Sequence, residues 1–131
     1  MIASKTRGAE VASWTAEELV ELHRAHEVRV AGRRADGSSR TLTIVWHVVV
    51  DGTLYLRSVK GPAGQWYKGV MRHHQGFLSW GGTPREVVFT LDGSRDPEID
   101  LAYAAKYGNG YATRSITNAL SKETTLRVDP R

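Results

Sequence analysis

The sequence predicts a single α+β domain, mainly β, with about six mostly antiparallel strands curled into a small barrel and flanked by short helices. Three observations predict it. The apolar residues fall in short alternating or β-branched runs bounded by turn residues, which is strand patterning. Asp51-Gly52 is a strong type I′ hairpin signal. A helix-start signal falls between the third and fourth strands, an order that favours a closed barrel over an open sheet. At 131 residues, 40% hydrophobic and 24% charged, the chain can bury a core without disulfide or metal staples.

The elements follow in order. Met1 to Ser13 carry no periodic apolar pattern and are expected to form a flexible leader, with the barrel domain spanning 14–131. Thr15-Ala-Glu-Glu18 is a capping box opening a helix to about Ala25, with Trp14 just outside it as a hydrophobic staple. Glu27 to Arg33 alternates as a half-buried strand. Arg40 to Val50 reads as one long central strand covered on both faces. Thr53 to Val59 returns antiparallel, placing Leu54, Leu56 and Ser58 on one face and Tyr55, Arg57 and Val59 on the other. Gly61-Pro62 begins a helix to about His73, with Pro62 near its first position. Gln75 to Trp80 and Glu86 to Leu91 are strands joined through Gly81-Gly-Thr-Pro84, and Asp92-Gly93 is expected to close that hairpin. Asp96 is expected to cap a helix, with Pro97 at its first position, that stops at Gly108. Ala112 to Leu120 reads as a short helical piece and Thr124 to Val128 as the last strand.

Composition excludes several functions. The absence of cysteine removes thiolate catalysis, disulfides, iron–sulfur clusters and sulfur-ligated zinc. No run of 18 apolar residues exists, so no membrane helix is expected, and the N-terminus lacks the apolar stretch of a signal peptide; the expected location is the cytoplasm. The histidines fit no metal-binding spacing, so no metal site is expected, and no nucleophile elbow or catalytic residue stands out.

The charge is more telling. From Gly52 to Arg85 there is no Asp or Glu, while Arg57, Lys60, Lys68, Arg72 and Arg85 contribute +5 of a net +4; the rest of the chain sums to −1. Five of the eleven aromatic residues lie in the same window: Tyr55, Trp66, Tyr67, Phe77 and Trp80. Cations and aromatic faces together are what an anionic ligand with a flat ring requires. At its centre, Arg57-Ser-Val-Lys60-Gly-Pro-Ala-Gly64-Gln-Trp66 joins a strand end to a helix start across two glycines, which suits an anion. It matches neither a Walker A loop nor a dinucleotide fingerprint. Two readings stand side by side: a phosphate site, or a tight turn with solvated cations.

The Gly32-Arg-Arg-Ala-Asp-Gly37 strand end, the Asp51-Gly52 hairpin, the Arg57-Ser58-Val-Lys60-Gly61 exit and the following Trp66-Tyr67 resemble the flavin-binding split barrels. That superfamily includes pyridoxamine-phosphate-oxidase-like proteins and deazaflavin-dependent nitroreductases. Within it, Lys-Gly-Pro-x-Gly-x-Trp-Tyr is similar to a group of short, functionally uncharacterised bacterial proteins. The resemblance implies a homodimeric oxidoreductase with FMN or a deazaflavin coenzyme at the subunit interface, acting on a small organic substrate. It implies that Arg57, Ser58, Lys60 and Gly61 hold the phosphate and that Gln65 and Trp66 border the tail or ring. Where the deazaflavin enzymes typically carry Asn two residues after the Trp-Tyr pair, this chain has Lys68 then Gly69, which leaves both cofactors open. Two other classes compete: a small barrel binding single-stranded nucleic acid on Arg57, Lys60, Lys68, Arg72, Trp66 and Trp80, and a cofactor-less barrel that binds a protein partner.

Overall fold

In the computed structural model, which describes residues 12–131, strand order explains the shape. The leader expected over Met1–Ser13 falls, for residues 1–11, outside the described residues. Seven strands among the described residues form one antiparallel sheet: β1 (Val28–Gly32), β2 (Thr43–Val45), β3 (His47–Val50), β4 (Thr53–Leu56), β5 (Gln75–Ser79), β6 (Arg85–Leu91) and β7 (Leu126–Pro130). Their order is β2-β1-β5-β6-β7-β4-β3. The two edges, β2 and β3, are separated in sequence by Trp46 alone. Laid flat, seven strands would hold those edges about 29 Å apart. The chain from Val45 to His47 reaches at most about 7 Å. The sheet must therefore curl until its edges meet, as a nearly closed barrel.

This corrects the expectation of six strands, because the run from Arg40 to Val50 is two strands rather than one central strand. Val45 pairs with Val28 of β1, whereas His47 pairs with Leu56 of β4. The run is not covered on both faces, since Thr43 and Ile44 are exposed. The β3–β4 hairpin turns at Asp51-Gly52 with φ of 52° and 76°, both positive as a type I′ turn demands.

The helices are α1 (Ala16–Arg24), α2 (Gln65–Met71), α3 (Asp96–Tyr107), α4 (Tyr111–Thr117) and α5 (Ala119–Lys122), with a single 3-10 turn over Gly61–Ala63. The capping box forms: Thr15 Oγ1 accepts from the Glu18 N–H at 3.1 Å and Glu18 Oε1 accepts from the Thr15 N–H at 2.9 Å. Trp14 is buried and its indole N–H donates to the Val128 carbonyl at 2.8 Å. α2 lies directly on β1, for a Cβ at Gly32 would collide with the Gly69 carbonyl.

Two local expectations fail for stated reasons. Trp80–Pro84 already joins β5 to β6, and Asp92 instead accepts from the Ser94 N–H and hydroxyl, turning the chain toward α3. Asp96 is the first residue of α3 and not its cap, which is Arg95; a buried arginine claims its carboxylate.

Side chains alternate along β4 as expected. Leu54 and Leu56 join Leu22, Val30, Leu78 and Phe89 in the barrel core, and Tyr55 faces a second apolar cluster with Val48, Ile99, Tyr103 and Ile116. That second cluster places α3 and α4 against the seam of the barrel, beside the exit of β4.

Candidate functional site

The chain leaving β4 builds the site one residue at a time. Arg57 turns into the protein with its side chain 0% exposed. Its guanidinium donates to Asp96 Oδ1 at 2.8 Å, Asp100 Oδ1 at 2.6 Å, Thr125 Oγ1 at 3.0 Å and the Ile116 carbonyl at 3.2 Å, and lies over the Tyr103 ring. A buried charge persists only when so matched. The expected role of Arg57 in holding a phosphate is therefore corrected: its guanidinium is consumed in bracing β4 to α3, α4 and the start of β7.

Ser58 is also buried, with a different outcome. Its N–H donates to Thr124 Oγ1 at 2.8 Å, and its carbonyl accepts from Ser121 Oγ at 2.6 Å and from the Gly61 N–H at 2.9 Å. Its own Oγ is buried without a hydrogen-bond partner. The hydroxyl lies against Gly64, where a Cβ would collide with it.

A pocket of about 520 Å³ opens at this point. Of the six residues expected at a cofactor site, Arg57, Ser58, Lys60, Gln65 and Trp66 line it. Lys60 and Gln65 are exposed and Trp66 is half-buried. Gly61 does not line it: it is buried at φ 65°, where a Cβ would stand 2.6 Å from Leu120 Cγ, and Gly64 takes its place in the wall.

The other walls come from segments that the sequence did not mark. Thr43 to Trp46, at the seam of the barrel, form one; Tyr111, Ala112 and Ser115 of α4 form another. α3 fixes Trp46 in place. The Trp46 and Tyr107 rings stack at 3.9 Å with 6° between planes, and the Tyr103 hydroxyl donates to the Trp46 carbonyl at 3.2 Å. The Tyr107 hydroxyl donates toward the His26 and His47 carbonyls and accepts from the His47 N–H. Burial pushes its pKa up to about 12, so it stays a donor. No sequence signal marked these walls; in the structure Ile44, Val59 and Tyr111 are 50%, 54% and 78% exposed around the pocket.

His47 lies behind this wall. Its Nε2–H donates to the Leu22 carbonyl at 2.6 Å, and Lys106 Nζ stands 3.0 Å from the same nitrogen. Burial, and then the nearby Lys106, His23 and His26 charges, outweigh that hydrogen bond and lower its pKa to about 4. Burial likewise lowers Lys106 to about 8. His47 is therefore a neutral packing element at pH 7, as expected of a histidine within a strand, with a mostly protonated Lys106 beside it.

The basic window is thus divided by the fold. Arg57 is paired as described; Arg85 pairs with Glu18 and covers the Trp14 ring. Trp80 donates to Glu21 Oε1 at 3.0 Å, away from the pocket. Lys60, Lys68 and Arg72 form no ion pair among the described residues. A nucleic-acid platform built on all six expected residues does not assemble, since Arg57 and Trp80 are committed to internal partners. No described helix is long and apolar enough to cross a membrane.

Comparison with known proteins agrees with this architecture. Curated proteins give no match. Among solved structures, the chain is similar to the conserved hypothetical protein Rv2991 from Mycobacterium tuberculosis, with a TM-score of 0.57 at 15% identity over 94% of this chain and 82% of that one. It is similar to an F420 reductase, with a TM-score of 0.53 at 15% identity over 85% and 90% of the two chains. It is also similar to Campylobacter jejuni ChuZ, with a TM-score of 0.55 at 13% identity over 86% of this chain and 50% of that one. At such identities the likeness establishes the fold, a split barrel. Residues 18–128 match the family model of uncharacterised proteins conserved in bacteria, DUF2255, and the chain belongs to that family.

Proposed function

We propose that the pocket binds the ring system of a flavin or deazaflavin, either FMN or the deazaflavin coenzyme, in a homodimeric cytoplasmic reductase that moves hydride to or from a small organic substrate. One observation carries this reading. Ser58, Lys60, Gln65 and Trp66 converge on a mainly apolar pocket of about 520 Å³ in which a serine hydroxyl is buried without a partner. That volume lies within the range of about 300–1,000 Å³ of small-molecule sites. The residues present fit such a ligand. Ser58 has an O–H donor to spare, Lys60 brings a cation to the wall, and Gly64 leaves room beside the hydroxyl, which together suit a phosphate. Trp46, Trp66 and Val59 offer apolar surface for the ring.

A bound flavin supplies the hydride chemistry itself, so the chain has only to hold, orient and dehydrate it. Lys60 offsets the anionic end. Trp46, immobilised by Tyr107, forms a rigid wall. The exposed Ile44, Val59 and Tyr111 around the pocket suit coverage by a second copy of the chain, which would exclude water. The F420 reductase among the structural neighbours supports the reading through its fold.

The test is the absorption spectrum and small-molecule mass of freshly purified protein, followed by titration with FMN and with the deazaflavin coenzyme. Binding of either, with the pocket tryptophans quenched, supports the proposal. If neither binds below high micromolar concentration, the reading fails and a protein partner becomes the remaining use of the barrel.

A further inference from the structure

Behind the Trp46 wall stands a lysine that the pocket does not use. Lys106 of α3 is half-buried, with its Nζ 3.0 Å from His47 Nε2 and 5.4 Å from the centre of the Tyr107 ring. The hydrogen on that imidazole nitrogen is spent on the Leu22 carbonyl at 2.6 Å, so the nitrogen has no lone pair to receive an ammonium proton. Among the described residues Nζ makes no other hydrogen bond and no ion pair. The titratable groups gathered here are His23 of α1, His26 before β1, His47 of β3 and the Tyr107 phenol; the one carboxylate bearing on them, Glu27, acts on the Tyr107 hydroxyl. Only the Tyr107 ring favours a charged Lys106, through a cation–π contact, and burial outweighs it. With its pKa at about 8, about a tenth of Lys106 is neutral at pH 7, against under about a thousandth of an ordinary lysine. The other described lysines differ: Lys122 is bonded to Asp100 at 2.8 Å, and Lys60 and Lys68 are exposed.

We infer that Lys106 is a modification site, whose amine takes a small acyl group from an activated carboxyl donor, a thioester. The Nζ lone pair forms the amide bond and the carbonyl–sulfur bond breaks. Sulfur leaves with the electron pair as thiolate, the amine's released proton passes to it or to water, and nothing is oxidised or reduced. Charge selects the acyl group over other carbonyl adducts. A carbamate is an anion and an imine stays basic, whereas an amide is neutral and needs no counter-ion beside a neutral histidine and an aromatic ring. The modified side chain would rest on the same Tyr107 ring that stacks on Trp46, one layer behind the pocket.

The experiment exposes the full-length protein to S-acetyl-N-acetylcysteamine, a small acetyl thioester, from about pH 7 to about pH 10, and follows each lysine at early times by site-resolved mass spectrometry. At about pH 7, Lys106 is expected to acetylate at least about fivefold faster than Lys60 and Lys68. Its rate should level off above about pH 8 while theirs keep rising, and in urea the three rates should converge. A Lys106 no faster than the exposed lysines overturns the assignment. So does a faster Lys106 whose rate climbs with pH as theirs do, or whose advantage survives unfolding.

Discussion

Arg57 and Ser58 are adjacent at the end of one strand, both buried, and their surroundings differ in kind. Around Arg57 the guanidinium faces two carboxylates, a hydroxyl and a carbonyl, all within hydrogen-bond range. Around Ser58 the backbone is fully bonded, yet the side-chain hydroxyl has no partner and borders an open pocket. Leaving a buried hydroxyl unbonded costs about 1–3 kcal/mol. A saturated network is architecture, and an unsatisfied group beside a cavity is a place for a ligand. Charge alone does not separate the two, since the arginine that looked most suited to a phosphate is the one already neutralised.

The largest test of this contrast is Arg57→Met. Removing the guanidinium leaves Asp96 and Asp100 facing a half-buried gap, with Lys122 still on Asp100 at 2.8 Å. A loss of about 3 kcal/mol in denaturant unfolding is expected. If Arg57→Met unfolds like the parent, the brace is misassigned.

The closed side continues along α3 to His47, which sharpens the contrast by pH. Because the folded-state pKa of His47 is about 4, below the 6.5 of an unfolded histidine, the unfolded chain binds the proton more readily between those values. Stability is full above about pH 6.5 and falls as pH drops toward 4, by about 2–3 kcal/mol from this group. Thermal melts of the parent and of His47→Gln measure it: the variant should lose much of that slope, and an unchanged slope would assign it to other groups.

On the open side the effects on stability are smaller and the effects on binding larger. Gly64→Ala places a methyl against the Ser58 hydroxyl, and a stability loss of about 2 kcal/mol is expected along with loss of ligand binding. Ser58→Ala removes an unsatisfied buried hydroxyl and is expected to leave stability unchanged or raise it by up to about 1 kcal/mol, while weakening the ligand. Opposite signs in one variant distinguish a binding residue from a packing residue; parallel losses in both assays would make Ser58 structural.

Much of the fold was legible because its signals are local. The Thr15–Glu18 box, the Asp51-Gly52 turn and the stop at Gly108 each depend on a few neighbouring residues and a backbone conformation that those residues favour. The break at Trp46 was not legible, since the run from Thr43 to Val50 is apolar apart from Thr43 and His47 and only distant pairing partners, Val28 and Leu56, divide it. The site was legible along one segment, Ser58 to Trp66, for the same reason of locality. Arg57 was misread because its acids, Asp96 and Asp100, lie 39 and 43 residues away, outside the acid-free window. Tyr111, Ala112 and Ser115 reach the pocket only through the packing of α3 and α4, which no spacing reveals.

The most direct test of the central claim is paired titration of the parent and Lys60→Ala with FMN and the deazaflavin coenzyme. Lys60 is exposed and free of ion pairs among the described residues, so its removal should change stability by less than about 0.5 kcal/mol. The account predicts that at least one cofactor binds the parent in the micromolar range or tighter, and that Lys60→Ala weakens it by about 1–3 kcal/mol. Equal affinity in parent and variant, or no binding to the parent, would contradict it.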